Sequence, residues 1–153
     1  MKRSKPPLSI LIVEDEFIIA MDIEMLIEDA GHRAFGVASS LKDVLAYPVD
    51  VAPDVALVDM QLAHGSTGLE VSEAIQSRWP ETIIVFVTAN PKKVPEDFAG
   101  AHGLIAKPFS SAGFIGALKY LEDGICDPPP LSPQPGSFIA SPAFAATFAN
   151  LGR

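Results

Sequence analysis

One cysteine, Cys126, stands in a chain of 153 residues, which excludes an internal disulfide and marks the composition of a protein from a reducing compartment. With no basic or histidine neighbour beside it, Cys126 reads as an inert thiol. Long apolar sequence is equally scarce. A basic start (Lys2, Arg3, Lys5) leads into the apolar residues 10–13, but Glu14, Asp15 and Glu16 end that run far short of a secretory signal or a membrane span. The expected location is therefore cytoplasmic, away from membranes. Positive charge is also short: 11 Lys+Arg face 19 Asp+Glu, a formal net charge of −8. Such a balance repels a phosphate backbone, so nucleic acid is not an expected partner. No glycine-rich loop follows the first apolar run, which removes the usual dinucleotide and P-loop modes of holding a nucleotide. His32, His64 and His102 have neither metal-ligand spacing nor a partner serine or cysteine, so loop or surface roles are expected of them, with His64 nearest the candidate site.

What the chain does have is apolar sequence in short, regularly spaced pieces, 48% of residues in all, enough for one ordinary core. Five strand candidates fall at 8–13, 34–38, 55–59, 83–89 and 104–107. The unbroken run Ile83-Ile84-Val85-Phe86-Val87 has the character of a strand covered on both faces, as in a parallel sheet. Between the first two, Ile19, Ile23, Leu26 and Ala30 recur at helical spacing and stop at Gly31. Ser40 and Asp43 have capping-box spacing before a short second helix over 40–46. A third helix is expected over 68–79, stopped by Pro80, and a last one carries Phe114, Leu118 and Leu121. Pro91 and Pro95 leave room for only a short, weakly held helix between the fourth and fifth strands. Alternating strands and helices predict an α/β fold, a doubly wound parallel sheet of five strands with helices on both faces.

Open sheets of this kind bind ligands at the carboxyl ends of their strands, and the polar residues that interrupt the pattern sit there. Glu14 and Asp15 follow the first strand, Asp59 ends the third, Thr88 lies near the end of the fourth, and Lys107 ends the fifth. Alone, each has an ordinary explanation: acids in a helix's first turn, a turn aspartate, a β-forming threonine, a lysine before a proline. Together they crowd three carboxylates onto one sheet edge, which requires compensation by a cation or a lysine. A hard divalent ion such as magnesium suits carboxylates and phosphate oxygens; manganese or calcium can substitute for it. The set then forms a phosphoryl-transfer apparatus, with Asp59 as nucleophile, Lys107 neutralising charge and the Thr88 hydroxyl donating a hydrogen bond.

The segments Ile10-Leu11-Ile12-Val13-Glu14-Asp15-Glu16, Val58-Asp59-Met60, Val87-Thr88-Ala89 and Lys107-Pro108-Phe109 resemble, in order and spacing, the receiver domain of two-component response regulators. The resemblance covers about residues 8–124. It implies a flavodoxin-like, CheY-like sheet of order 2-1-3-4-5, a cis bond before Pro108, and phosphorylation of Asp59 by a histidine kinase or phosphotransfer protein, followed by slow self-catalysed hydrolysis. The implied metal ligands are Glu14, Asp15, Asp59 and the backbone carbonyl of Gln61. The Gln61 and Asn90 side chains fall where receivers tune the hydrolytic water, and the small Ala89 leaves room for the phosphoryl group. The loop over residues 59–68 is similar to that of alphaproteobacterial receivers. One departure is Leu104, which stands where receivers commonly carry a switching aromatic; Phe86 or Phe109 is the candidate replacement.

From Asp127 the composition changes to a proline-rich, semi-rigid linker, and Ser141-Pro142 then forms a good helix start ahead of Phe144, Phe148 and Leu151. Residues 125–153 thus read as a linker and a short apolar tail, too short for a stable isolated helix. Two readings stay open for the tail: a disordered end, or docking on the domain or on a neighbouring copy. The expected protein is a stand-alone receiver that signals through protein contacts, with a downstream partner on the last two helices and fifth strand, or that serves as a phosphate sink; a homodimer is compatible with either. It is not expected to turn over external substrates. The alternatives are a small aspartyl phosphohydrolase, disfavoured by Gln61 where such enzymes carry a second acid, and a receiver-like binding module that is not phosphorylated.

Overall fold

The computed structural model describes residues 6–62, 65–130 and 133–149. Strands β1 (Ser9–Val13), β2 (Arg33–Ala38), β3 (Val55–Asp59), β4 (Ile83–Thr88) and β5 (Gly103–Ala106) pair in parallel in the order β2-β1-β3-β4-β5. The expected five-strand order is present, and the sheet extends beyond it: β6 (Ile139–Ala140) adds to β5 in antiparallel sense. Because side chains alternate along a strand, β1 serves two cores. Ile10 and Ile12 join a layer with helices α1 (Phe17–Asp29) and α4 (Ser111–Cys126), while Leu11 and Val13 join one with α3 (Gly68–Arg78).

Helix α1 buries Ala20, Ile23, Leu26 and Ile27 and stops at Gly31, whose φ of 88° lets His32 N–H reach back to the Ile27 carbonyl at 3.0 Å. Ser40 caps α2 (Leu41–Leu45) as expected, accepting from Asp43 N–H, but the Asp43 carboxylate takes the N–H of Ser39 rather than that of Ser40. A full capping box is found instead at α3, where Thr67 and Glu70 exchange bonds of 3.2 and 3.1 Å. Gly68 permits α3 to start directly on the end of β3, since a Cβ there would run into the Asp59 carbonyl and Met60.

The link from β4 to β5 differs from expectation: it contains no α-helix, only single 3-10 turns at Pro91–Lys93 and Phe98–Gly100. Phe98 and Ala99 take positive φ, which breaks helical continuity, and the Phe98 side chain is buried against the α3 layer. Gln76 of α3 ties this turn down by donating to the Ala99 carbonyl at 2.9 Å.

The tail docks within its own chain. Phe138 is fully buried in the α1/α4 core, Ser141 caps α5 (Pro142–Ala149) by accepting from Phe144 N–H at 3.1 Å, and Phe144 and Phe148 pack ring to ring at 4.8 Å. Tyr120 of α4 meets Phe138 at 5.6 Å and Phe148 at 6.3 Å. Leu151, expected on this stripe, and His64 lie outside the described residues.

Candidate functional site

The carboxyl ends of β1, β3, β4 and β5 surround an open cleft of about 580 Å³. Asp15, Asp59, Gln61, Thr88, Ala89, Asn90 and Lys107 line it, so the residues singled out from the sequence converge as the topology rule requires. Glu14 completes the group from beneath: it is buried, whereas Asp15 is exposed and Asp59 half-buried. Carboxylate oxygens of Glu14, Asp15 and Asp59 lie within 4.8 Å of one another.

That much negative charge is held by a definite set of partners. The ammonium of Lys107 donates to Glu14 Oε1 at 2.9 Å and stands 3.5 Å from Asp59 Oδ2. Burial of Lys107 acts against its charge, but the hydrogen bond to Glu14 and the field of Asp59 and Glu14 outweigh it and hold its pKa above the ordinary lysine value. The other Glu14 oxygen accepts from Glu16 N–H at 3.2 Å, and Asp59 Oδ1 accepts from Gln61 N–H at 3.4 Å. The lysine therefore leans toward Glu14, a distinction that depends on packing across strands and is invisible in the sequence.

Thr88 sits at the end of β4 with its Oγ1 accepting from Asn90 N–H at 3.0 Å. A hydroxyl that accepts there retains its hydrogen to donate elsewhere. The Lys107–Pro108 bond is cis. Leu104 is buried in the α3 layer, Phe86 is wholly enclosed, and Phe109 is half-buried over Phe114 at 4.9 Å, so of the two candidate aromatics only Phe109 reaches solvent. Lys93 also lines the cleft and was not singled out from the sequence; the signal was the Lys92-Lys93 pair in the turn that follows Thr88-Ala89-Asn90.

The carboxylate oxygens of Glu14, Asp15 and Asp59, gathered beside the Lys107 amine, are hard donors of the kind that suits a divalent cation of the magnesium or calcium type. A parallel, doubly wound sheet with this cleft at its switch point has the architecture of a receiver domain. The chain belongs to the response regulator family: residues 10–119 match the model of the response regulator receiver domain. PhyR, the phyllosphere-induced regulator of Methylorubrum extorquens, is 38% identical over 112 residues, covering 72% of this chain and 42% of that protein. The solution structure of the Erythrobacter litoralis PhyR receiver domain superposes with a TM-score of 0.68 at 27% identity, covering 80% of this chain and 95% of that domain. The anti-anti-sigma factor PhyR from Bartonella quintana gives a TM-score of 0.59 at 31% identity, with 70% and 44% covered. The chain thus spans less than half of the two longer relatives. Among the described residues no helix is long and apolar enough to cross a membrane.

Proposed function

We propose that the protein accepts a phosphoryl group on Asp59 from a histidine kinase or phosphotransfer protein in the cytoplasm, in a magnesium-dependent reaction, and transmits the change through protein contacts. Lys107 carries the proposal: its ammonium spans Glu14 and Asp59, so a fixed positive charge already sits where oxygens of an incoming phosphoryl group would arrive. An Asp59 oxygen forms a bond to phosphorus as the phosphorus–nitrogen bond of the donor breaks, and the departing imidazole takes a proton from solvent. Thr88 donates its hydroxyl hydrogen to a phosphoryl oxygen, a role supported by its acceptor capacity being engaged by Asn90. Glu14, Asp15, Asp59 and the Gln61 carbonyl would hold the cation, which when bound supplies charge neutralisation of the transferring group. The acyl phosphate carries roughly two negative charges where the Asp59 carboxylate carried one, together with three acceptor oxygens beside Lys107 and Thr88, and moves the loops that bear them.

Residues 8–124 form the receiver unit in this reading and 125–153 an appendix to it, in keeping with a family match that ends at 119. The similarity to anti-anti-sigma factors favours output by binding another regulatory protein over binding DNA. Mass spectrometry after exposure to magnesium and a small phosphodonor tests the proposal. One phosphoryl group is expected on the wild-type chain and none on Asp59→Asn or Lys107→Ala. Absence of uptake by the wild-type chain, or uptake that persists in Asp59→Asn, rejects it.

A further inference from the structure

The outer edge of β5 carries a shaped recess. Gly103 has no Cβ, and the ring of Phe138 fills the space one would take: a Cβ built there collides with two ring atoms. The ring is fully buried beside Tyr120, and Gly124 on α4 leaves similar room for Phe148. On the same edge, Gly103 and Leu104 pair with Ala140 and Ile139, and Ser141 N–H donates to the His102 carbonyl at 2.9 Å. Main-chain pairing sets the alignment and one aromatic anchor sets the identity, which is how sheet edges recognise extended peptides.

The present occupant is lightly built. β6 has two residues, and α5 has eight, fewer than an isolated helix needs in water. A cleft of about 220 Å³ opens between Gly136 and Ser137 and the loop residues Pro108 and Phe109, although Ser137 itself rests close to Gly113 of α4. Continuing the observed register sets Ser137 opposite Ala106, next to Lys107.

We infer that the outer edge of β5, with its Gly103 recess, is a strand-accepting site for an extended, aromatic-bearing segment of a partner protein, and that residues 137–149 of the chain hold it shut. The partner segment runs antiparallel to β5 and seats its aromatic ring where Phe138 now lies. Exchange of the two occupants changes the contacts of the loop that bears Lys107. The recess itself needs no phosphoryl group; only the trigger that lifts the tail rests on the function proposed above.

The test titrates the full chain carrying Phe138→Ala with a synthetic peptide of residues 133–149, beside the wild-type chain and beside the same peptide carrying Phe138→Ala. The variant chain is expected to bind the unmodified peptide about tenfold or more tightly than the wild type does, because its site is no longer self-occupied. The altered peptide is expected to bind neither chain. Equal affinity for both chains, failure to bind the variant, or undiminished binding of the altered peptide overturns the inference. If Phe138→Ala does not fold, Phe144→Ala loosens α5 while leaving the recess intact and is expected to give the same ranking. Adding Asp59→Asn should leave that ranking unchanged, and absence of phosphoryl uptake by the wild-type chain with retained peptide binding would reject the proposed function and not the recess.

Discussion

The two edges of the sheet are protected by different means. At β2 the edge stays open to solvent and is made an awkward template: Arg33 and Val37 are exposed, the register with β1 shifts between Ile10 and Leu11, and Gly36 is overlaid by the Tyr47 side chain. At β5 the residues Gly103, Leu104 and Ile105 are buried and flat, and the chain covers them with its own β6 and an aromatic plug. An edge can thus be left free if it is irregular and charged, whereas a smooth apolar edge must be occupied. The occupied edge is also the one that continues into the loop bearing Lys107.

Substitutions at the two edges should separate accordingly. The largest effect is expected from Phe138→Ala, which empties a fully buried aromatic site and should destabilise the chain by about 3–5 kcal/mol, read as a fall in the denaturant midpoint. A loss under about 1 kcal/mol would mean that the plug contributes little to the fold. Acid should weaken the fold next, through a histidine that stands just before each edge strand. His102 accepts from Ile84 N–H at 3.0 Å and meets Phe144 at 5.5 Å, and burial lowers its pKa from 6.5. His32 accepts from Leu8 N–H, and its pKa is lowered by burial, which outweighs the opposing pull of Glu122. For both, the unfolded chain binds the proton more readily, so their contribution is complete above pH 6.5 and is lost as pH falls through the lowered folded values. Melting temperature should therefore drop between pH 7.5 and 5, and His102→Asn should flatten that slope; an unchanged slope would mean that His102 does not titrate on unfolding. The smallest effect is expected at the open edge, where Val37→Thr at a 43% exposed position should shift stability by no more than about 0.5 kcal/mol. A larger loss there would erase the contrast.

The parts of the molecule legible in sequence are those where one residue type has one structural outcome. Apolar runs ending in Glu14-Asp15, Asp59, Thr88 and Lys107 gave both the strands and the side chains that meet at their ends, because parallel order forces those ends together. The linker from β4 to β5 misled: Pro91 and Pro95 frame a helix-sized gap, and nothing in the letters of Phe98 and Ala99 announces their positive φ. β6 escaped notice because two residues carry no period, although Ser141-Pro142 marked the helix after it correctly. The nearer partner of Lys107 was hidden for another reason: whether its amine reaches Glu14 or Asp59 depends on fractions of an ångström between neighbouring strands.

The lysine's lean toward Glu14 makes it a tenant with two addresses. A buried acid is costly to leave without a compensating charge, so a cation held by Glu14, Asp15 and Asp59 would compete with the ammonium for Glu14 and free it to face the outer oxygens of Asp59. In the proposed function, charge would then reach Asp59 by displacement within the cluster, with no new residue brought in from outside.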